Sequence, residues 1–147
     1  MPRKYVAVCG ASDATASQLA SAREVGRLLA ESGVVVINGG PGGVSGAASE
    51  GAAQAGGTVV GILPDIDRSG ANPHLSISLP TGMGQARNVL IVTAAESAIA
   101  IGDGWGTLSE IAVARRLGRP VVALDSWSVE GLESVDTPGE AVRRALE

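Results

Sequence analysis

Ile99-Ala-Ile-Gly-Asp-Gly-Trp-Gly-Thr-Leu-Ser-Glu110 is the stretch that decides the fold of this chain. A short apolar run leads into three glycines, Gly102, Gly104 and Gly106, and the residues that follow predict a helix with Thr107 at its N-cap. The order predicts a strand, a tight turn and a helix N-terminus, which together can hold an anion on backbone N–H groups. Glycines there let the backbone approach a ligand because no Cβ intervenes.

An earlier stretch, Val34-Val-Val-Ile-Asn-Gly-Gly-Pro-Gly-Gly-Val-Ser-Gly46, has the same form. The glycines of this first turn are Gly39, Gly40, Gly42 and Gly43. Ser45 occupies the third glycine position of a dinucleotide-binding G-x-G-x-x-G motif, so NAD is a weak candidate. The glycines also suit tight packing between a helix and the sheet, an alternative that stays open. The two turns predict a phosphorylated small molecule at the carboxyl edge of a parallel sheet.

The composition suits a parallel sheet covered by helices. The chain has 147 residues, of which 45% are hydrophobic and only 2% aromatic, with no phenylalanine. Such an Ala, Val, Ile and Leu core is typical of buried parallel strands. Strand-like and helix-like segments alternate over short connections, which predicts right-handed crossovers. We therefore expect an α/β fold: a single domain over residues 1–147, a Rossmann-like three-layer sandwich with a mostly parallel central sheet.

Several classes of function are disfavoured by what the sequence lacks. The net charge of −4, with no basic tract, argues against nonspecific nucleic-acid binding. No apolar run reaches the roughly 20 residues of a membrane span, so we expect a cytoplasmic protein with no membrane partner. Lys4 is the only lysine and no Gly-Lys-Ser/Thr is present, which disfavours Schiff-base chemistry and a P-loop. With one histidine and one cysteine, we expect no metal site.

Hydrophobic periodicity and turn residues predict the order of the elements. Strands are expected at 5–9, 34–37, 58–63, 75–79, 97–101 and 120–124, and helices at 15–32, 44–55, 82–95 and 107–117, with a last one from Pro138. Residues 64–80 are expected to form a surface excursion, that is, a long loop around the 75–79 strand, and residues 125–137 an irregular segment.

Arg87 and Glu110 are the candidates for chemistry. Arg87 is predicted in the first turn of a helix, where a cation costs about 0.3–1 kcal/mol unless an anion lies beside it. Arginine suits phosphate or carboxylate through its two-pronged geometry. A surface position, or an ion pair with Glu110, is the alternative. Thr107 and Glu110 also match a capping box, so their pairing would explain both residues without a ligand.

Other polar residues carry weaker indications. His74 lies in a proline-rich loop and is expected to be solvated, and no G-x-S-x-G elbow accompanies it. Cys9 is most simply a small buried side chain at a strand end. Ser12 and Asp13 follow the first strand and are expected to form a helix cap or turn.

Taken together, Gly39–Gly46, Gly82-Met-Gly-Gln-Ala-Arg-Asn88 and Gly102–Glu110 resemble the Lonely Guy-like superfamily, which includes phosphoribohydrolases and molybdenum-cofactor carriers. The family pattern P-G-G-x-G-T-x-x-E keeps its Gly-Thr-x-x-Glu core here, but Gly102 and Asp103 replace the Pro and the first Gly. In M-x-x-x-R-K, the lysine position holds Asn88.

The resemblance implies two alternative functions. As a hydrolase, the protein would cleave the N-glycosidic bond of a nucleoside 5′-monophosphate, with Glu110 stabilising the oxocarbenium-like charge and Arg87 orienting the ribose phosphate. Asn88 instead favours a non-catalytic carrier or sensor of a phosphorylated pterin, such as molybdenum cofactor, or of a nucleotide.

Both alternatives use the same ligand-binding positions. These are the glycines of the two turns together with Thr107, Met83 and Asn88. The resemblance implies that no metal or organic cofactor is required, although a bound nucleotide or molybdenum cofactor would fit either alternative. It also implies a homodimer or homotetramer, in which helices rich in small residues could pack closely across a symmetric interface.

Overall fold

A computed structural model describes residues 3–147. Its strands are β1 (Tyr5–Gly10), β2 (Val35–Asn38), β3 (Val59–Leu63), β4 (Ile77–Pro80), β5 (Ser97–Gly102), β6 (Val121–Ser126) and β7 (Glu133–Val135). Its α-helices are α1 (Ala16–Glu31), α2 (Gly43–Gln54), α3 (Asn88–Thr93), α4 (Trp105–Arg116) and α5 (Pro138–Ala145), and a 3₁₀ helix spans Gly84–Arg87.

All seven strands form one sheet in the order β4-β3-β2-β1-β5-β6-β7. Every neighbouring pair is parallel, so the predicted mostly parallel sheet is confirmed. The chain builds outward from β1 to β4, then returns to place β5 on the other side of β1. In open α/β sheets this reversal leaves a crevice at the carboxyl ends of the two central strands, where ligands bind.

Helices cover both faces of the sheet, which confirms the three-layer sandwich. On one face α1, α2 and α5 pack against alternate strand residues such as Val6, Val8 and Val36. On the other face α3 and α4 pack against the residues between them, such as Ala7 and Cys9. Successive strand side chains point to opposite faces, so β1 is apolar on both.

Small residues let α1 and α2 approach closely. A Cβ on Gly26 would lie 2.0 Å from the Ala48 carbonyl oxygen, and one on Gly51 would lie 1.9 Å from the Arg23 carbonyl oxygen. The predicted packing of small-residue helices is therefore found within one chain.

Three segments differ from the sequence prediction. Residues 82–95 do not form one α-helix, because Gly82 and Gly84 have φ values of +66° and +57°, which interrupt the α-helical backbone. The strand predicted at 75–79 is found as β4, which begins two residues later, at Ile77. In the segment expected to be irregular, β7 pairs with β6; it is three residues long, with only Val135 buried, too short for a periodic pattern. No helix within residues 3–147 has both the length and the apolar character needed to cross a membrane.

Candidate functional site

A cleft of about 590 Å³ lies over the carboxyl ends of β1, β2 and β5. Four segments line it: Gly10, Ala11 and Ser12 after β1; Gly39, Pro41, Gly42 and Ser45 in the first glycine turn; Gln85, Arg87 and Asn88; and Gly104, Trp105, Gly106, Thr107, Ser109 and Glu110 at the start of α4. Its volume is in the range of small-molecule sites in proteins. The cleft occupies the switch point of the sheet.

The start of α4 differs from the prediction. Gly104, with φ −66° and ψ 157°, is the N-cap, so the helix begins at Trp105. The Leu108 N–H donates to the Gly104 carbonyl at 3.1 Å, which closes the first turn before a Thr107 cap could form. The predicted N-cap at Thr107 is therefore wrong, and so is its capping box with Glu110.

Thr107 instead lies inside the first turn of α4 with an unsatisfied hydroxyl. Its side chain is 2% exposed, and its Oγ1 atom has no hydrogen-bond partner. A buried hydroxyl without a partner costs about 1–3 kcal/mol. The first N–H groups of a helix also lack acceptors within the helix. A hydroxyl and free N–H groups therefore share one wall of the cleft, an arrangement suited to an anion.

The first glycine turn brings a second helix N-terminus to the same cleft. Gly42 is the N-cap of α2 and has no side-chain cap, and the cleft reaches Pro41 and Ser45 beside it. The Val44 N–H donates to the Ala11 carbonyl at 3.1 Å, which ties α2 to the loop after β1. Two helix dipoles thus direct their positive ends toward one space.

Some glycines of the two turns line the cleft, and others are required for close packing behind it. Gly39, Gly42, Gly104 and Gly106 line the cleft. Three others lie behind it: a Cβ on Gly40 would be 2.1 Å from Leu63 Cδ2, one on Gly43 would be 2.5 Å from the Ala11 carbonyl oxygen, and one on Gly102 would be 2.9 Å from Ala11 Cβ.

Arg87 is buried in the cleft wall, and its guanidinium is held by the protein itself. Its Nε donates to the Ile62 carbonyl at 3.0 Å, while its two terminal nitrogens donate to Gly84 at 3.3 Å and to Gly39 at 3.4 Å. Burial lowers the pKa of Arg87, and the Glu110 carboxylate acts in the opposite sense. No acid forms an ion pair with it anywhere in residues 3–147.

Asn88 connects Arg87 to the start of α4. Its Oδ1 accepts from Arg87 at 3.1 Å, and its Nδ2 donates to Ser109 Oγ at 3.2 Å. Met83 is 46% exposed and is not among the residues that line the cleft. Asp103 is exposed and also lies outside the lining.

Glu110 lies at the floor of the cleft and is 7% exposed. Burial raises its pKa from 4.5 to about 7, against smaller lowering effects of the Cys9 thiol and the Arg87 charge. Burial and the neighbouring Glu110 carboxylate raise the pKa of Cys9. A carboxyl that titrates near neutral pH can give or take a proton. The site therefore combines an anion-binding wall with an acid–base group.

His74 lies outside this cleft, 3.9 Å from Glu50 across a shallower depression that Asp13 also lines. No group of three or more His, Cys, Asp or Glu side chains in the described part of the chain could hold a metal ion.

The sequence prediction missed Trp105, Ser109 and Gln85. A tryptophan within a glycine turn, in a chain with two tryptophans, was the available indication for Trp105.

Two solved structures and one relative in sequence are similar to this chain over nearly its whole length. A molybdenum cofactor binding protein from Rippkaea orientalis is 31% identical, with a TM-score of 0.93 over 97% of this chain and 95% of that one. The molybdenum cofactor carrier protein of Chlamydomonas reinhardtii is 29% identical, with a TM-score of 0.85 over 97% of this chain and 95% of that one. An uncharacterized protein of Archaeoglobus fulgidus is 44% identical over 147 residues, 99% of this chain and 97% of that protein.

A more distant likeness extends to the DNA processing protein A of Streptococcus pneumoniae, which is 20% identical with a TM-score of 0.78. At that identity the two proteins share the fold alone. The suspected superfamily is confirmed, because a family model matches residues 3–145, nearly the whole chain. The chain belongs to the SLOG cluster4 family.

Proposed function

We propose that this protein is a carrier that binds a phosphorylated pterin of the molybdenum-cofactor type in the cleft between the two glycine turns. The observation that carries the proposal is the Thr107 hydroxyl, which is buried and has no partner although its residue lines the cleft. A phosphate oxygen bound at the start of α4 would accept its hydrogen bond together with those of the free N–H groups. The similarity to two molybdenum cofactor proteins supports the choice of ligand class.

The surroundings of Arg87 support binding without turnover. Its donors go to three backbone carbonyls and to Asn88, so the guanidinium orders the cleft wall. In this proposal the α4 N-terminus and the α2 N-terminus supply the attraction for the phosphate, and Arg87 adds positive charge behind them. Gly39, Gly42, Gly104 and Gly106 form the close backbone surface around the ligand. Gly40, Gly43 and Gly102 shape that surface by packing.

Hydrolysis of a nucleoside 5′-monophosphate is the second candidate, and Glu110 favours it. A carboxyl with a pKa of about 7 at the cleft floor could activate water or protonate a leaving base. Arg87 would then orient the ribose phosphate. Neither function requires a metal or an organic cofactor beyond the ligand itself.

The experiment that tests both proposals begins with the protein as purified. Mass spectrometry of the released small molecules identifies any retained ligand, and a phosphorylated pterin is the expected result. The same preparation is then incubated with a panel of nucleoside 5′-monophosphates while free base is measured. Base release that disappears in Glu110→Gln would establish the hydrolase and overturn the carrier proposal. A Glu96→Gln variant controls for contaminating activity, because Glu96 lies just before β5, at the end of the sheet opposite the cleft.

Self-association into a homodimer or homotetramer remains part of the proposal. The small-residue helices that suggested it pack against each other within the chain, so an interface would use other surfaces. Light scattering over a range of protein concentrations measures the mass directly.

A further inference from the structure

We propose that Trp105 is a stacking platform for the flat heterocyclic ring of the ligand, and that it selects ring-bearing phosphates over simple ones. The inference rests on the proposed function, because the ring is placed relative to an anion held at the start of α4. It adds a residue and a selection rule that the anion site alone does not supply.

Trp105 is unusually exposed for its size. Its side chain is 78% exposed, yet it lines the cleft. The chain has two tryptophans, one tyrosine and no phenylalanine. An indole placed at the mouth of a polar cleft leaves an apolar face in water, and a flat ring that covers this face gains hydrophobic and stacking energy.

The second tryptophan holds the first in place. The Trp127 ring centroid lies 5.2 Å from that of Trp105, with the two planes tilted by 43°. Trp127 Nε1 also donates to the Gly104 carbonyl at 3.0 Å, so the pair is fixed to the N-cap of α4. Trp105 is thereby restrained before a ligand arrives, which lowers the entropy cost of stacking.

The spacing along α4 defines the ligand class. Trp105 is the first residue of α4 and Thr107 the third, and both line the same cleft, so the ring and the anion site border one space. A ligand that uses both must carry an anionic group and a flat ring close together. Stacking reads the face of a ring rather than its edge, so it distinguishes ring-bearing compounds from sugar phosphates while tolerating several heterocycles.

Isothermal titration of the full chain with three probes tests the inference: ribose 5-phosphate, guanosine 5′-monophosphate and neopterin monophosphate. We expect the two ring-bearing probes to bind the wild type about tenfold more tightly than ribose 5-phosphate. Trp105→Ala should remove this preference and leave the affinity for ribose 5-phosphate unchanged. Trp105→Phe should retain most of it. In Trp127→Phe, where Trp105 is the only indole, both ring-bearing probes should quench its fluorescence.

Three outcomes would overturn the inference: no preference for ring-bearing probes in the wild type, an equal loss of all three probes in Trp105→Ala, or a changed mass by light scattering in that variant with the preference intact. Failure of the proposed function looks different. If the two ring-bearing probes bind in a Trp105-dependent manner and ribose 5-phosphate does not bind, the stacking platform stands without the anion site. If no probe binds, both are overturned.

Discussion

The two glycine turns of this protein have similar sequences, but their glycines are required for different reasons in the structure. In the first, Gly40 and Gly43 have positive φ and would place a Cβ against neighbouring atoms, so these glycines are required by packing. In the second, Gly104 and Gly106 have no atom within 3.4 Å of such a Cβ, and the buried Thr107 hydroxyl beside them has no partner. Packing therefore fixes more of the first turn, whereas the second holds a buried hydroxyl that has no partner.

The loop at 64–80 helps to hold the first turn in place. The Asn72 N–H donates to the Gly40 carbonyl at 3.0 Å, and Asn72 Nδ2 donates to the Pro41 carbonyl at 3.4 Å. The first turn is therefore held from outside by a segment that the sequence predicted only as a surface excursion. The second turn is held instead by the end of β6 and the residue after it: Trp127 Nε1 donates to the Gly104 carbonyl, and Ser126 Oγ donates to the Gly102 carbonyl.

The largest expected effect tests whether packing governs the first turn. Gly43→Ala should reduce the free energy of unfolding by about 3 kcal/mol or more, because its φ of +64° disfavours a Cβ and the Ala11 carbonyl lies 2.5 Å from where that atom would be. Chemical denaturation measures the change.

Gly42→Ala is the matched control for this prediction. Gly42 has a φ of −87°, and a Cβ there would have no neighbour within 4 Å. We expect it to unfold within about 1 kcal/mol of the wild type. Equal losses in the two variants would mean that packing does not distinguish neighbouring glycines of this turn.

The next effect concerns Glu110, whose carboxyl lies in the second turn of α4. Because burial raises the pKa of Glu110 from 4.5 to about 7, the folded state holds its proton more tightly than the unfolded state does. Stability should therefore fall as the pH rises from about 4.5 to about 7, by up to about 3 kcal/mol, and then level off. Denaturation curves at several pH values measure this decline.

Glu110→Gln should flatten the stability profile between those pH values, since the amide does not titrate. Glu130→Gln, on an exposed loop, is the control and should keep the wild-type slope. A Glu110→Gln profile as steep as that of the wild type would show that other groups produce the pH dependence, and the second turn would lose its acid–base group.

The sequence predicted the sheet better than the turns. Apolar strands separated by glycine turns were enough to infer a parallel sheet and the three-layer sandwich, because buried strands such as β1 and β5 need helices on both faces. The short β7 escaped notice because its pairing with β6 depends on backbone hydrogen bonds, which side-chain patterns do not report.

The site was predictable in its location and less so in its contacts. Arg87 and Glu110 both line the cleft, but the ion pair that the sequence left open as an alternative does not form. Arg87 donates instead to the carbonyls of Ile62 in β3, Gly84 and Gly39. Thr107 matched a capping box in sequence, but Gly104 starts the helix earlier. A cap and an interior position differ only in backbone angles, so residue type alone could not separate them.

The smallest effect addresses the contrast between the turns most directly. Thr107→Ala should weaken the binding of ribose 5-phosphate about tenfold, because a hydrogen bond to a charged phosphate is lost. Thr107→Val, which keeps the buried methyl and the volume of the side chain, should not reduce the free energy of unfolding, since the hydroxyl has no partner to lose. Thr107→Ser retains the hydroxyl and is expected to bind within a factor of about 3 of the wild type.

Ser45→Ala makes the matching change in the first turn, where α2 begins beside the same cleft. We expect a smaller loss of affinity there, because Ser45 is only partly buried, whereas the Thr107 hydroxyl is enclosed and unpaired. A loss of stability without a loss of affinity in Thr107→Val would assign the hydroxyl to the fold. The second turn would then resemble the first, and the anion would have to be bound elsewhere in the cleft.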